Sequence, residues 1–164
     1  MTATMPETQN PEGQGSDETF MALTFELQGE RFAVDVGIVQ EVIDPLPVTV
    51  VPKTDPFAPG MINARGSVVP VINLKHRLGM PTTEQTAETR FVVMETEFGE
   101  DRTRFAVIAD SVHEVMEINE SRIQAAPELG MKWPPDYIRG IANTANTLLI
   151  FLNPKTVFQP IGAV

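Results

Sequence analysis

The stretch RFAVDVGIVQEV, residues 31–42, returns as RFAVIADSVHEV at residues 104–115, with seven of twelve letters unchanged at an offset of 73. A second echo follows in the same order. GMINARGSVVPVINL begins at Gly60 and GIANTANTLLIFLNP at Gly140, an offset of 80 that sets Asn63 opposite Asn143 and Asn73 opposite Asn153. Phe57 and Tyr137 precede their glycines by the same spacing. Self-similarity of this kind marks a duplicated unit and outranks local readings. The offset grows from 73 to 80, so seven extra residues fall in the second copy, in the loop APELGMKWPPDY.

Each copy has the periodicity of strands. Leu23, Phe25 and Leu27 alternate with Thr24 and Glu26; after Gln-Gly-Glu, Phe32, Val34 and Val36 alternate again. Period two predicts a hairpin with one buried face per strand. VIDPLPVTVVP, with three prolines, suits bent edge segments, since proline cannot donate to a ladder. Gly60 to Leu74 reads as two strands around Ala-Arg-Gly-Ser, and Gly66 falls opposite Asn146, two residue types that tolerate positive φ. The prediction is an all-β chain in which residues 20–80 and 90–158 each form a small barrel of about five strands. The linker, over about residues 75–89, starts with a helical turn stopped by Gly79 and Pro81. A copy of about 70 residues buries a marginal core alone, so the two are expected to share an interface.

Composition excludes several functions. The net charge is −10, and residues 1–19 contribute Glu7, Glu12, Asp17 and Glu18 with no basic residue, which predicts a disordered acidic tail. Without a basic stripe the chain lacks the footprint that nucleic acid requires. VVPVI and LLIFL are too short to span a bilayer, and no signal-peptide pattern opens the chain, so a cytoplasmic protein without membrane insertion is expected. The absence of cysteine removes thiol chemistry.

Catalytic signals are weak. His76 and His113 have no partner at ligand spacing, the glycines form no phosphate-cradling run, and Glu100-Asp101 and Asp110/Glu114 read as solvated charge. No catalytic residue, metal or cofactor is expected. Two features stand out. Arg65, at the tip of Asn-Ala-Arg-Gly-Ser, is either a solvated or acid-paired hairpin residue or a contact. In VDVGIVQEV, Val36, Val39 and Val42 are spaced by three, so the strand must bend near Gly37 and part of this set is either core or an outward apolar docking patch.

These residues resemble the CheW family, whose members couple chemoreceptors to the histidine kinase CheA. The pieces are FELQGERFAVDVGIVQEV, VPKTDPFAPGMINARGSVVPVINLKHRLG, RFAVIADSVHEV, RIQAAP and YIRGIANTANTLLIFLNPKTV, in the family's order. The resemblance implies one CheW-like domain over residues 20–164, built as two pseudo-symmetric five-stranded SH3-like barrels with short helical turns. It implies a non-catalytic scaffold that binds a CheA-type kinase's regulatory domain and the cytoplasmic tip of a methyl-accepting chemoreceptor. Carried over by motif, Val36, Val39 and Glu41 fall on the kinase side. Asn63, Arg65 and Gly66 fall on a signalling or receptor side, where Arg65 acts by contact or by pairing with Glu41. Ala64 stands where the family usually has leucine, Asn73 where it often has aspartate, and the chain stops soon after NPKTVF, short of a longer terminal helix seen in some members. A pilus-motility pathway is an alternative to flagellar chemotaxis. A small-ligand module or enzyme on duplicated β barrels is the alternative of a different class.

Overall fold

The computed structural model describes residues 18–52, 56–125, 127, 132–144 and 146–159. The first copy runs β1 (Thr19–Leu27), β2 (Glu30–Asp35), a 3-10 turn (Val36–Ile38), β3 (Val39–Ile43), β4 (Thr49–Val50), β5 (Gly60–Ala64), β6 (Ser67–Ile72) and α1 (Leu74–Arg77). The second runs β7 (Arg90–Phe98), β8 (Asp101–Ala109), β9 (Ser111–Asn119), a 3-10 turn (Glu120–Arg122), β10 (Ile138–Thr144), β11 (Thr147–Leu152) and α2 (Pro154–Val157). The copies share a frame of three strands, a closing hairpin and a short helix. The 3-10 turn, however, comes before β3 in the first and after β9 in the second. β4 is matched only by the bridge Gln124↔Ile141, and the second copy adds a 3-10 turn at Pro135–Tyr137. The expected tail spans residues 1–19; Thr19 instead begins β1, and residues 1–17 lie outside the described residues.

The sheets do not divide as the sequence does. One has the order β10-β11-β2-β1-β9 and the other β3-β7-β8-β6-β5-β4. Each therefore takes its first hairpin from one copy and the remaining strands from the other. This corrects the expectation that residues 20–80 and 90–158 each build their own sheet. Two parallel seams make the exchange, Val71↔Ala106 and Ile72↔Val107 in one sheet, Ile150↔Phe32 and Phe151↔Ala33 in the other. Neither sheet closes its ladder among the described residues; the chain itself runs from edge strand β3 to edge strand β4, and from β9 to the bridge Gln124↔Ile141 beside β10.

The physical reason lies in the exchanged hairpins, which are buried on both faces. Leu23, Phe25, Leu27, Phe32 and Val34 face a central core with Val92, Met94, Phe105, Val107 and Phe158. The opposite faces fill two smaller cores, Ala22 and Ala33 with Ile118, Leu149 and Phe151, and Phe91, Val93 and Ala106 with Ile62, Val69 and Val71. A period-two reading of β1 as half-buried misses this, because its second face carries Ala22 and a fully buried Thr24. Thr24 is tolerated there because its Oγ1 donates to the Glu114 carbonyl at 2.8 Å, beside the register shift between Leu23 and Phe25.

The matched letters of the second echo have matched structural duties. The backbone N–H of Asn73 donates to the Phe57 carbonyl at 2.7 Å and that of Asn153 to the Tyr137 carbonyl at 2.8 Å. Each asparagine Oδ1 then caps the short helix that follows, accepting from His76 N and Lys155 N. Arg77 lies between the two matched aromatics, 3.7 Å above the Phe57 ring and 5.7 Å from the Tyr137 ring, and donates to the Val157 carbonyl at 3.0 Å. The two copies meet around this guanidinium.

Candidate functional site

Arg65 and Gly66 form the two-residue turn between Ala64 and Ser67, with φ of 57° and 84°. Two consecutive positive φ values define the hairpin turn whose twist matches its strands. Asn63 makes the turn affordable for an arginine, since its Oδ1 accepts from Gly66 N at 3.0 Å. Asn63 and Gly66 thus hold Arg65 outward. The equivalent tip in the second copy has Asn146 at φ 66°, while Ala145 lies outside the described residues.

Arg65 Nη2 is 3.0 Å from Glu41 Oε1, with the arginine side chain 80% exposed and the glutamate 24%. Glu41 sits on edge strand β3, whereas Arg65 caps the β5–β6 hairpin on the far side of the same sheet. The pair therefore bridges the seam that the ladder leaves open. An exposed pair of this kind contributes about 0.2–1 kcal/mol. In a cycle of Glu41→Arg, Arg65→Glu and the double reversal, thermal melts should give a coupling energy of about 0.5 kcal/mol. Zero coupling would sink the pairing role.

The spacing-of-three stretch resolves into a turn and a bulge. Asp35 Oδ1 accepts from Gly37 N at 2.8 Å and caps the 3-10 turn, and the β3–β7 register shifts between Val39 and Glu41. Val36 is half-buried. Val39 is half-buried as well and packs against the central core, so it is not a free surface anchor. Val42 is the member that faces out, at 40% exposure, and the same sheet exposes Met61 and Val68. The sequence named Val42 without deciding its side, because parity cannot be counted through a bulge, and did not single out Met61 or Val68. Beside them Gln40 bonds Glu95, which also faces Arg102 at 3.5 Å, so the second copy's hairpin furnishes part of the same surface.

Two further ionisable clusters stand out among the described residues. His113 Nε2 lies 3.1 Å from Glu26 Oε1 and 3.2 Å from Ser111 Oγ. Both contacts use one nitrogen, so the ring cannot pass a proton from serine to carboxylate in the manner of a triad. Asp110, read above as solvated, is instead 2.7 Å from the buried Lys75 Nζ and accepts from Gln28 N at 2.8 Å. That joint ties α1, the β1–β2 turn and the end of β8 together. An open cleft of about 450 Å³ is lined by Gln28, Glu30, Leu78, Met80, Lys132 and Trp133. Among the described residues no group of three or more His, Asp or Glu could hold a metal, and no helix is long and apolar enough to cross a membrane.

Comparison with known proteins adds a lineage to this geometry. A family model described as the CheW-like domain matches residues 21–161. The chain is similar to "Chemotaxis protein CheW" of Bacillus subtilis, 33% identical over 140 residues that cover 84% of this chain and 85% of the relative. It is 30% identical over 145 residues to the protein of the same description from Thermotoga maritima, covering 87% and 89%. Among solved structures, the scaffolding protein TtCheW from Thermoanaerobacter tengcongensis superposes with a TM-score of 0.76 at 29% identity, over 88% of this chain and 96% of that one.

Proposed function

The chain belongs to the CheW-like domain family, and on that premise we propose that it is a cytoplasmic, non-catalytic scaffold coupling chemoreceptors to a CheA-type histidine kinase. The observation that carries the reading is the match over residues 21–161, together with relatives described as chemotaxis CheW proteins along most of their own length. The alternative of a ligand module or enzyme gains nothing from those relatives. In this reading residues 20–164 act as one domain, and the two sheets are SH3-like barrels whose seams are spanned by side chains. A scaffold needs no reacting groups. It transmits a signal when its affinity for receptor or kinase differs between their signalling states.

The kinase-side surface is built around β3 from Val36 and Glu41 with Val42 added, and the Arg65 tip with Asn63 and Gly66 is the signalling or receptor side next to it. Val39 supports this surface from beneath. Receptor binding falls to the groove between the sheets. A small apolar anchor rimmed by charge suits a transient contact dominated by few residues. Val42→Asp is expected to weaken binding of the kinase regulatory domain at least about tenfold, through an unpaired carboxylate at a desolvated contact, with the melting temperature unchanged. Val39→Asp should instead lower the melting temperature, because its side chain touches the central core. Calorimetric titration with the purified kinase domain, beside melts of both variants, checks this. Normal affinity in Val42→Asp would move the kinase surface elsewhere.

A further inference from the structure

We infer that this chain exchanges halves with a second copy of itself, the residues through α1 of one copy completing both sheets with the residues from β7 onward of the other. The inference rests on strand pairing alone and stands or falls independently of the proposed function.

Four ladders join the halves. β1 lies against β9 from Thr19↔Asn119 to Glu26↔Ser111, β3 against β7 from Val39↔Met94 to Ile43↔Phe91, and the two parallel seams pair β2 with β11 and β6 with β8. All three apolar cores draw residues from both halves. None of these contacts depends on which molecule supplies the other half. In an exchanged pair every ladder and core re-forms with the same residues, and only the hinge and the concentration of second copies change the balance.

The hinge is present in the chain. Residues 79–89 join no ladder, and positions 81–88 are exposed. Eleven residues span about 36 Å when extended, at about 3.3 Å each, so the segment can reach between molecules as well as fold back. It is tied to the body by Lys75 Nζ, which donates to Thr83 Oγ1 at 2.7 Å, and by Met80 N, which donates to the Lys75 carbonyl at 2.8 Å. The Lys75–Asp110 and Gln28–Asp110 contacts cross between halves and survive an exchange, whereas the Thr83 contact belongs to the folded-back hinge. An exchanged pair would display two complete copies of every surface, joined by two hinges, and so bind arrayed partners bivalently.

The sequence has no cysteine, so every disulfide formed must use the introduced ones. Met21 and Glu117 are exposed and directly opposite on β1 and β9. In Met21→Cys/Glu117→Cys the disulfide is intrachain when the molecule closes on itself and interchain in an exchanged pair. The full-length double variant is unfolded in denaturant, refolded over a hundredfold range of protein concentration, oxidised and run on a non-reducing gel. Covalent dimer whose disulfide peptide mapping places between positions 21 and 117 is expected to rise with concentration, whereas dimer linked only through like positions is a collision product and overturns the inference. Deleting residues 82–88 in the same background, which shortens the hinge, should raise the dimer-to-monomer ratio at least tenfold. Monomer bands alone at every concentration overturn the inference, as do light-scattering dimers whose disulfides are all intrachain, since those copies sit side by side. If the shortened chain does not fold, the full-length concentration series decides alone.

Discussion

Replacing Asp110 by alanine is expected to lower the melting temperature by about 6–10 °C, the equivalent of about 3 kcal/mol for a domain of this size. Lys75 Nζ has Asp110 Oδ1 and Thr83 Oγ1 as its partners, each at 2.7 Å, and its side chain is only 7% exposed. Without the carboxylate, a buried ammonium keeps one neutral acceptor, and the cost is that of the uncompensated charge rather than of the pair. Because Asp110 itself is 30% exposed, solvent screening holds the figure at the low end of the range for buried pairs. Gln28 N also loses its acceptor. Two further variants separate these effects. Lys75→Met combined with Asp110→Ala removes both charges and should recover part of the loss, whereas Asp110→Asn keeps the acceptor for Gln28 but not the charge. A double variant melting no higher than Asp110→Ala would show that the charge is not what matters.

The second large effect is expected at Gly60, where alanine should cost about 3 kcal/mol and Gly140→Ala a similar amount. A Cβ on Gly60 would stand 2.4 Å from the Thr49 carbonyl oxygen and 2.8 Å from Val48 Cγ1. One on Gly140 would stand 2.4 Å from Ile123 Cγ2 and 2.7 Å from the Gln124 carbonyl oxygen. In both copies the strand after the long loop passes against returning backbone, Val50↔Gly60 in one and Gln124↔Ile141 in the other. The backbone cannot yield without breaking that pairing. Gly29 is the control: nothing lies within 4 Å of its Cβ position, and alanine there meets only the strain of φ 81°, about 1 kcal/mol. Denaturant melts of the three variants should rank Gly60 and Gly140 well below Gly29. Equal losses at all three positions would refute close approach as the reason for the repeated glycine.

Much of the fold was legible because duplication leaves paired marks. Gly60/Gly140 and Asn73/Asn153 recur since each pair meets the same local demand, a close backbone approach in one and a helix cap in the other. Those demands act over a few residues, and side-chain type reports them directly. The candidate site was legible in part. Arg65, Asn63 and Gly66 could be assigned to a turn from their letters, and the break at Gly37 signalled a departure from strict alternation. That Glu41 reaches Arg65, that Val39 turns inward, and that Val42 turns out all depend on a bulge and on a strand from the other half.

By itself the sequence determined the all-β class, the two-copy frame of strands, the turn chemistry and the family, since these follow from local periodicity, backbone preference and recurring motifs. Only the tertiary structure decided which copy completes which sheet. Strand pairing is made by backbone groups common to every residue, so β1 carries no letter that names β9 over β3 as its neighbour. The choice was made by burial: both faces of the β1–β2 and β7–β8 hairpins are apolar, and packing each between its own sheet and the central core covers both at once. The buried joint of Lys75 with Asp110 had the same origin, an ion pair between residues 35 apart in sequence that only this packing brings to 2.7 Å.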